Sequence, residues 1–224
     1  MSQPHAWRGL IDADAFARAE LGRQPFTHLV VPGFVLPAAC AAARAAFPDT
    51  GHGGIAPAVA RDPADGLGRL LAALRDMATT AAFAAKFGET LDPETLMIHL
   101  RSRCTAQDGR IHTDSARKRV TALIYLNESW PHAGGRLRLL RGPVNLEDMA
   151  AEVPPLDGTL IAFRRSDTSW HGHYPFEGIR RAVMFNWMES LADARHEMRR
   201  HAASAALKRL ARLTGVRAKA TPYA

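Results

Sequence analysis

The stretch Gly109-Arg-Ile-His-Thr-Asp-Ser-Ala-Arg-Lys-Arg-Val-Thr-Ala-Leu-Ile-Tyr-Leu-Asn127 decides the fold. Its second half, Arg119 to Leu126, is rich in β-branched and aromatic residues and reads as a strand. Four more such segments surround it: Leu96–Arg103, Gly135–Leu140, Thr159–Arg164 and Arg181–Met188. They are short, separated by turns, and have no regular helices between them. That pattern favours an antiparallel sandwich or barrel over a parallel βαβ sheet.

Upstream the pattern differs. Residues 1–25 are mixed and are expected to wrap the surface. Phe26–Phe34 reads as a short strand stopped by Pro32 and Gly33. Leu36–Phe47 is alanine-rich, lies between prolines, and predicts a helix with Pro37 in its first turn. Residues 49–64 read as a loop. The spacing of Leu67, Leu70, Leu71, Leu74, Met77, Phe83 and Phe87 predicts one or two helices. After the strands, Leu191–Leu213 returns to helix, with Met198, Ala202, Ala206, Leu210 and Leu213 as its apolar stripe.

At 224 residues, with 47% hydrophobic and 23% charged side chains, the chain can bury a full core, and wholesale disorder is excluded. No apolar run approaches the roughly eighteen residues of a membrane span, and no secretory signal is read, so a cytoplasmic protein is expected. Cys40 and Cys104 read as free thiols. Of the net charge of +7, +6 lies in residues 191–224. The body is therefore near neutral, and a nucleic-acid partner is not expected. This divides the chain into a body, 1–190, and a basic helical appendage, 191–224.

His112 and Asp114 lie two apart, so on a strand both side chains point to one face. An imidazole and a carboxylate so placed are two ligands of the facial triad of non-haem Fe(II) oxygenases. The pair alone is weak evidence, because an isolated HxD is more often a surface accident. A third ligand must come from Ser169-Trp-His-Gly-His-Tyr-Pro175, and spacing does not choose between His171 and His173. Arg180 and Arg181 open the last strand and point to opposite faces. Arg181 shares its face with the bulky Val183, Phe185 and Trp187, which makes it the inward candidate for gripping a carboxylate. His99, Arg101 and Arg103 also share one face, which lies either in the pocket or on a solvated edge.

The ordered set of His112-Thr-Asp114, Arg119–Asn127, Gly134-Gly-Arg-Leu-Arg-Leu139, Pro155–Phe163 and His171–Trp187 resembles the prolyl-4-hydroxylase-like branch of the 2-oxoglutarate- and Fe(II)-dependent oxygenases. The likeness runs over roughly residues 26–190. It implies a mainly β fold, with a double-stranded β-helix (jelly-roll) core and N-terminal helices packed on it, to which the apolar stripe and charge of 191–224 add a C-terminal basic helix. It implies His112, Asp114 and His171 as catalytic iron ligands, since the family's H-x-V-x-P matches His171-Gly-His-Tyr-Pro175. His173 then stands where an apolar residue is usual. The resemblance implies Fe(II), 2-oxoglutarate and O2 as cofactor and co-substrates. Arg181 would bind the far carboxylate, ten positions after His171 and six before Trp187. Tyr125, with Thr121 on its face, would assist. Asp114 favours hydroxylation, because related halogenases lack this carboxylate.

The expected activity is hydroxylation of an unactivated C–H of a small-molecule or peptidyl substrate, with release of succinate and CO2. Positive charge from His99, Arg101 and Arg103 would suit an anionic substrate. Residues 104–111 and Trp130–Gly134 are the expected lid. A homodimer is compatible with the sequence. The competing reading is a non-catalytic or cupin-like jelly-roll binding module whose basic tail meets nucleic acid or a membrane surface.

Overall fold

The computed structural model describes residues 5–49, 53–58, 61–62 and 64–199. Four helices precede most of the strands: α1 Ala13–Arg18, α2 Pro37–Ala45, α3 Gly66–Arg75 and α4 Met77–Phe87. The strands are β1 His28–Val31, β2 Ala56–Pro57, β3 Leu96–Cys104, β4 Lys118–Tyr125, β5 Leu137–Leu140, β6 Met149–Val153, β7 Leu160–Arg164, β8 His171–Gly172 and β9 Gly178–Met188. A further helix spans 191–199, and the remainder of the predicted basic helix lies outside the described residues.

Local chemistry sets the helix boundaries. Pro37 starts α2, where its missing N–H costs nothing. Asp76 ends α3 and also caps α4 through its side chain, which divides the 66–87 segment into two helices. Gly88 closes α4 in the left-handed region at φ 63°, a conformation glycine adopts without steric cost. Ser190 and Asp193 exchange hydrogen bonds at the start of the 191–199 helix. That helix buries Ala194 and Glu197 and leaves Met198 exposed, so Met198 is not on its packed face.

Six strands form one antiparallel sheet in the order β1-β7-β4-β9-β3-β2, and three form a second in the order β6-β5-β8. The architecture is a mixed one, an extensive antiparallel sheet with flanking helices. Among the described residues the two sheets do not close into one hydrogen-bonded barrel.

The larger sheet has two unlike faces. Val120, Ala122 and Ile124 of β4 share one core with Val183, Phe185 and Trp187 of β9 and with the helices. Phe83 of α4 sits at its centre, 5.1 Å from the Trp187 ring and 5.6 Å from that of Phe185. The buried indoles find partners: Trp187 Nε1 donates to Thr80 and Trp7 Nε1 to Thr79. Trp7, Ile11 and Phe16 are fully buried here, so the N-terminal segment supplies core rather than wrapping the surface. The other face carries Leu123, Tyr125, Ile161, Phe163 and Ala182, which pack with Leu137, Leu139 and Val153 of the smaller sheet. The candidate site lies on this second face.

Candidate metal centre

The site forms where the two sheets meet. His112 and His171 pair as an isolated antiparallel bridge, each backbone N–H donating to the other's carbonyl at 3.0 Å. Their rings lie 4.4 Å apart. With Asp114 they place one ligand atom each within 4.8 Å of one another. Among the described residues this is the group of histidine, cysteine and acidic side chains suited to a metal.

The donor set fits a divalent ion. His112 Nδ1 donates to the Arg110 carbonyl at 2.8 Å and His171 Nδ1 to the Ser169 carbonyl at 2.9 Å. A carbonyl only accepts, so both protons sit on Nδ1 and both Nε2 atoms present a lone pair. Burial holds the His171 imidazole down to about 4, against the opposing pull of Asp114, so it is neutral at pH 7. Burial pushes the Asp114 carboxyl up, but Lys118, the two imidazoles and Thr121 outweigh it. The net position is well below the usual carboxylate range. Thr121 Oγ1 donates to Asp114 Oδ2 at 2.5 Å, and Lys118 Nζ to Oδ1 at 3.1 Å. Thr121 thus acts on Asp114. The buried His171 and exposed His112 leave one side of the triad open.

His173 is buried on the pocket side but lies outside the triad. Its N–H donates to the Gly109 carbonyl, and its Nδ1 bonds the Tyr174 carbonyl at 2.8 Å. Burial and then Arg180 push its imidazole down to about 4. Gly109, at φ 95°, lies so close that a Cβ would fall 2.4 Å from His173 Nδ1.

The arginine of the pocket is Arg180, not Arg181. Side-chain contacts decide it: β9 carries a register irregularity between Ile179 and Ala182, and the Arg180 guanidinium lies over the Tyr125 ring, on the inner face. Arg180 is 3% exposed, donates from Nε to the Gly135 carbonyl at 2.7 Å and from Nη2 to Tyr125 Oη at 3.1 Å. Among the described residues no carboxylate pairs with it. Arg181 belongs to the face of Val183, Phe185 and Trp187, which packs on the helices. The bulkier face of β9 is the helix-covered one, and bulk therefore pointed the wrong way. Arg181 serves through its backbone, which Asn127 grips from both sides.

His99 and Arg101 also lie on the inner face, opposite Met184 and Ala182, whereas Arg103, beside a register shift with β9, bonds Asp49 at the exposed end of β3. Trp130, whose ring is 4.6 Å from that of Phe176, is buried at the Gly135 turn. A cleft of about 490 Å³ borders the 106–111 segment, Val144, Leu146 and His173–Pro175.

The family model described as the 2OG-Fe(II) oxygenase superfamily matches residues 100–189, a span containing the whole triad, Tyr125 and Arg180. Among solved structures, the chain is similar to a Pseudomonas putida prolyl-4-hydroxylase, with 22% identity and a TM-score of 0.54 over 78% of this chain and 96% of that one. It is also similar to a prolyl 4-hydroxylase from Phytophthora capsici, at 18% identity and a TM-score of 0.53 over 72% and 58% of the two chains. An oxidoreductase of the 2OG-Fe(II) oxygenase family from Burkholderia pseudomallei gives 16% and 0.50 over 73% and 84%. These likenesses show a shared fold, an extensive antiparallel sheet with flanking helices. Among curated proteins no relative matches by sequence. No helix among the described residues is long and apolar enough to cross a membrane.

Proposed function

We propose that the chain is an Fe(II)- and 2-oxoglutarate-dependent hydroxylase built on a double-stranded β-helix core. The observation that carries this reading is the triad, with both imidazoles turned Nε2-inward by backbone carbonyls. His112, Asp114 and His171 would hold the iron. Iron, 2-oxoglutarate and O2 together supply an oxidant that converts C–H to C–OH, with succinate and CO2 as the other products.

The chain's own residues bind and orient. Arg180 is a buried cation with no acid partner among the described residues, and such a group is costly unless an anion completes it. The distal carboxylate of 2-oxoglutarate suits it. Burial keeps the Tyr125 phenol protonated, above its ordinary range despite Arg180. Its oxygen already accepts from Arg180, which leaves the phenolic proton to donate to the same carboxylate. Thr121 and Lys118 fix Asp114 so that ligand geometry does not depend on the ion alone. The substrate, small molecule or peptidyl residue, would approach from the open side by His112.

The test is turnover of 2-oxoglutarate to succinate by Fe(II)-loaded protein with ascorbate. Slow substrate-independent turnover is expected and is lost in Asp114→Ala. Equal turnover by both proteins would overturn the reading.

A further inference from the structure

Two arginines, not one, stand on the inner face of the pocket. Arg101 faces Ala182 across β3 and β9, and Ala182 faces Tyr125 across β9 and β4. Arg101, Ala182 and Tyr125 therefore form one row. Arg180 bonds Tyr125 Oη and lies over its ring, and Arg101 stands in the row of Tyr125, so both border one space. Their partners differ. Among the described residues, Arg180 bonds the Gly135 carbonyl and Tyr125. Arg101 is bound by an acid: its Nη1 lies 2.8 Å from Asp108 Oδ1, with side-chain exposures of 14% and 22%.

Asp108 is itself held in place. Its Oδ2 accepts from Thr105 N at 2.7 Å and Thr105 Oγ1 at 3.1 Å, and its own N–H donates to the Thr105 carbonyl. The next residue, Gly109, accepts the His173 N–H. The acid is thus fixed over the pocket by a turn that cannot easily withdraw it.

We propose that Asp108 is a specificity-determining residue: it acts as an internal carboxylate that cancels Arg101, so that, among the described residues, the pocket is left with the Arg180 guanidinium for one distal carboxylate. The inference rests on the 2-oxoglutarate reading above. In its absence the pocket would present two uncompensated guanidiniums, and anions with an additional carboxylate would compete with the co-substrate.

The test is a double-substitution cycle read by binding, not turnover. Anaerobic Fe(II)-protein is titrated with 2-oxoglutarate, and Kd is read from the visible absorption of the chelate. Asp108→Asn keeps an oxygen for Thr105 but drops the charge. It is expected to tighten 2-oxoglutarate about fivefold and to make citrate an effective competitor. Arg101→Met strands the Asp108 charge and is expected to weaken 2-oxoglutarate about tenfold. The double variant should return to within about twofold of wild type, as expected when the two charges act only through each other. Co(II) spectra without 2-oxoglutarate check that each variant keeps the triad. A pair that is merely structural gives a different pattern, with both single variants weakening the co-substrate, and that result overturns the proposal. So does an Asp108→Asn variant with unchanged affinities. If wild type itself shows no chelate absorption, the functional reading fails instead.

Discussion

The backbones of His112 and His171 exchange two hydrogen bonds of 3.0 Å, although one residue lies in the segment between β3 and β4 and the other opens the two-residue strand β8. The metal site is thus built into a sheet contact. The third ligand is placed by main-chain pairing, and its ring needs only one further bond, to the Ser169 carbonyl.

That contact depends on Gly172. A Cβ there would sit 2.9 Å from the Gly109 carbonyl oxygen and 3.2 Å from Ile111 Cα. Gly172→Ala must push β8 from the 109–111 backbone and break the bridge. Co(II) titration is expected to show affinity lower by about tenfold or more, comparable to losing a ligand-orienting contact. Unchanged affinity would mean that the histidines are held by something else.

Thr121→Val removes the hydroxyl from Asp114 Oδ2 at nearly constant volume. Metal affinity should fall about tenfold, the lower end for such orienting contacts. If only 2-oxoglutarate affinity moves, the hydroxyl serves the co-substrate instead.

Arg180 and Arg181 give opposite predictions. Arg180→Met should abolish detectable 2-oxoglutarate binding while leaving Co(II) binding intact, because it removes the buried cation on the inner face. Arg181→Met should stay within about twofold of wild type, because a residue on the helix side makes no ion pair with the ligand. The reverse result would restore Arg181, the residue that strand face and family spacing together indicate.

His171 and His173 are both held near 4, below the ordinary 6.5, chiefly by burial. A depressed imidazole binds its proton more readily in the unfolded chain. Stability of the metal-free protein is therefore full above about pH 6.5 and is lost as pH falls toward 4, by up to about 3 kcal/mol for each group. Urea denaturation at pH 7 and pH 4.5 reads this, and His173→Gln should reduce the difference. Stability that is flat over this window would contradict the burial of these rings.

Much of the site was legible in the sequence because its chemistry is local. The spacing in His112-Thr-Asp114 and the alternation placing Thr121 and Tyr125 together hold in three dimensions. Free, buried Cys40 and Cys104 also agree with the reading. What was not legible depends on which face of a strand is covered by what. Val183, Phe185 and Trp187 are bulky because helices cover them, and a strand buried on both faces carries no polarity signal to tell the pocket side from the helix side. The register shift between Arg101 and Arg103 leaves no mark in the sequence either. β8 is too short to read as a strand, and β6, Met-Ala-Ala-Glu-Val, lacks alternation. Positive charge on β3 suggested an anionic substrate; the structure pairs Arg101 with Asp108 and Arg103 with Asp49, partners that strand spacing does not reveal.

The central claim is that His112, Asp114 and His171 hold an iron to which 2-oxoglutarate binds. Its most direct test is an anaerobic titration of metal-free protein with Fe(II) and 2-oxoglutarate, followed by the visible metal-to-ligand charge-transfer absorption. The band is expected in the wild-type protein and is expected to be absent in His112→Ala. A folded wild-type protein that gives no band, or a band that survives His112→Ala, would contradict it.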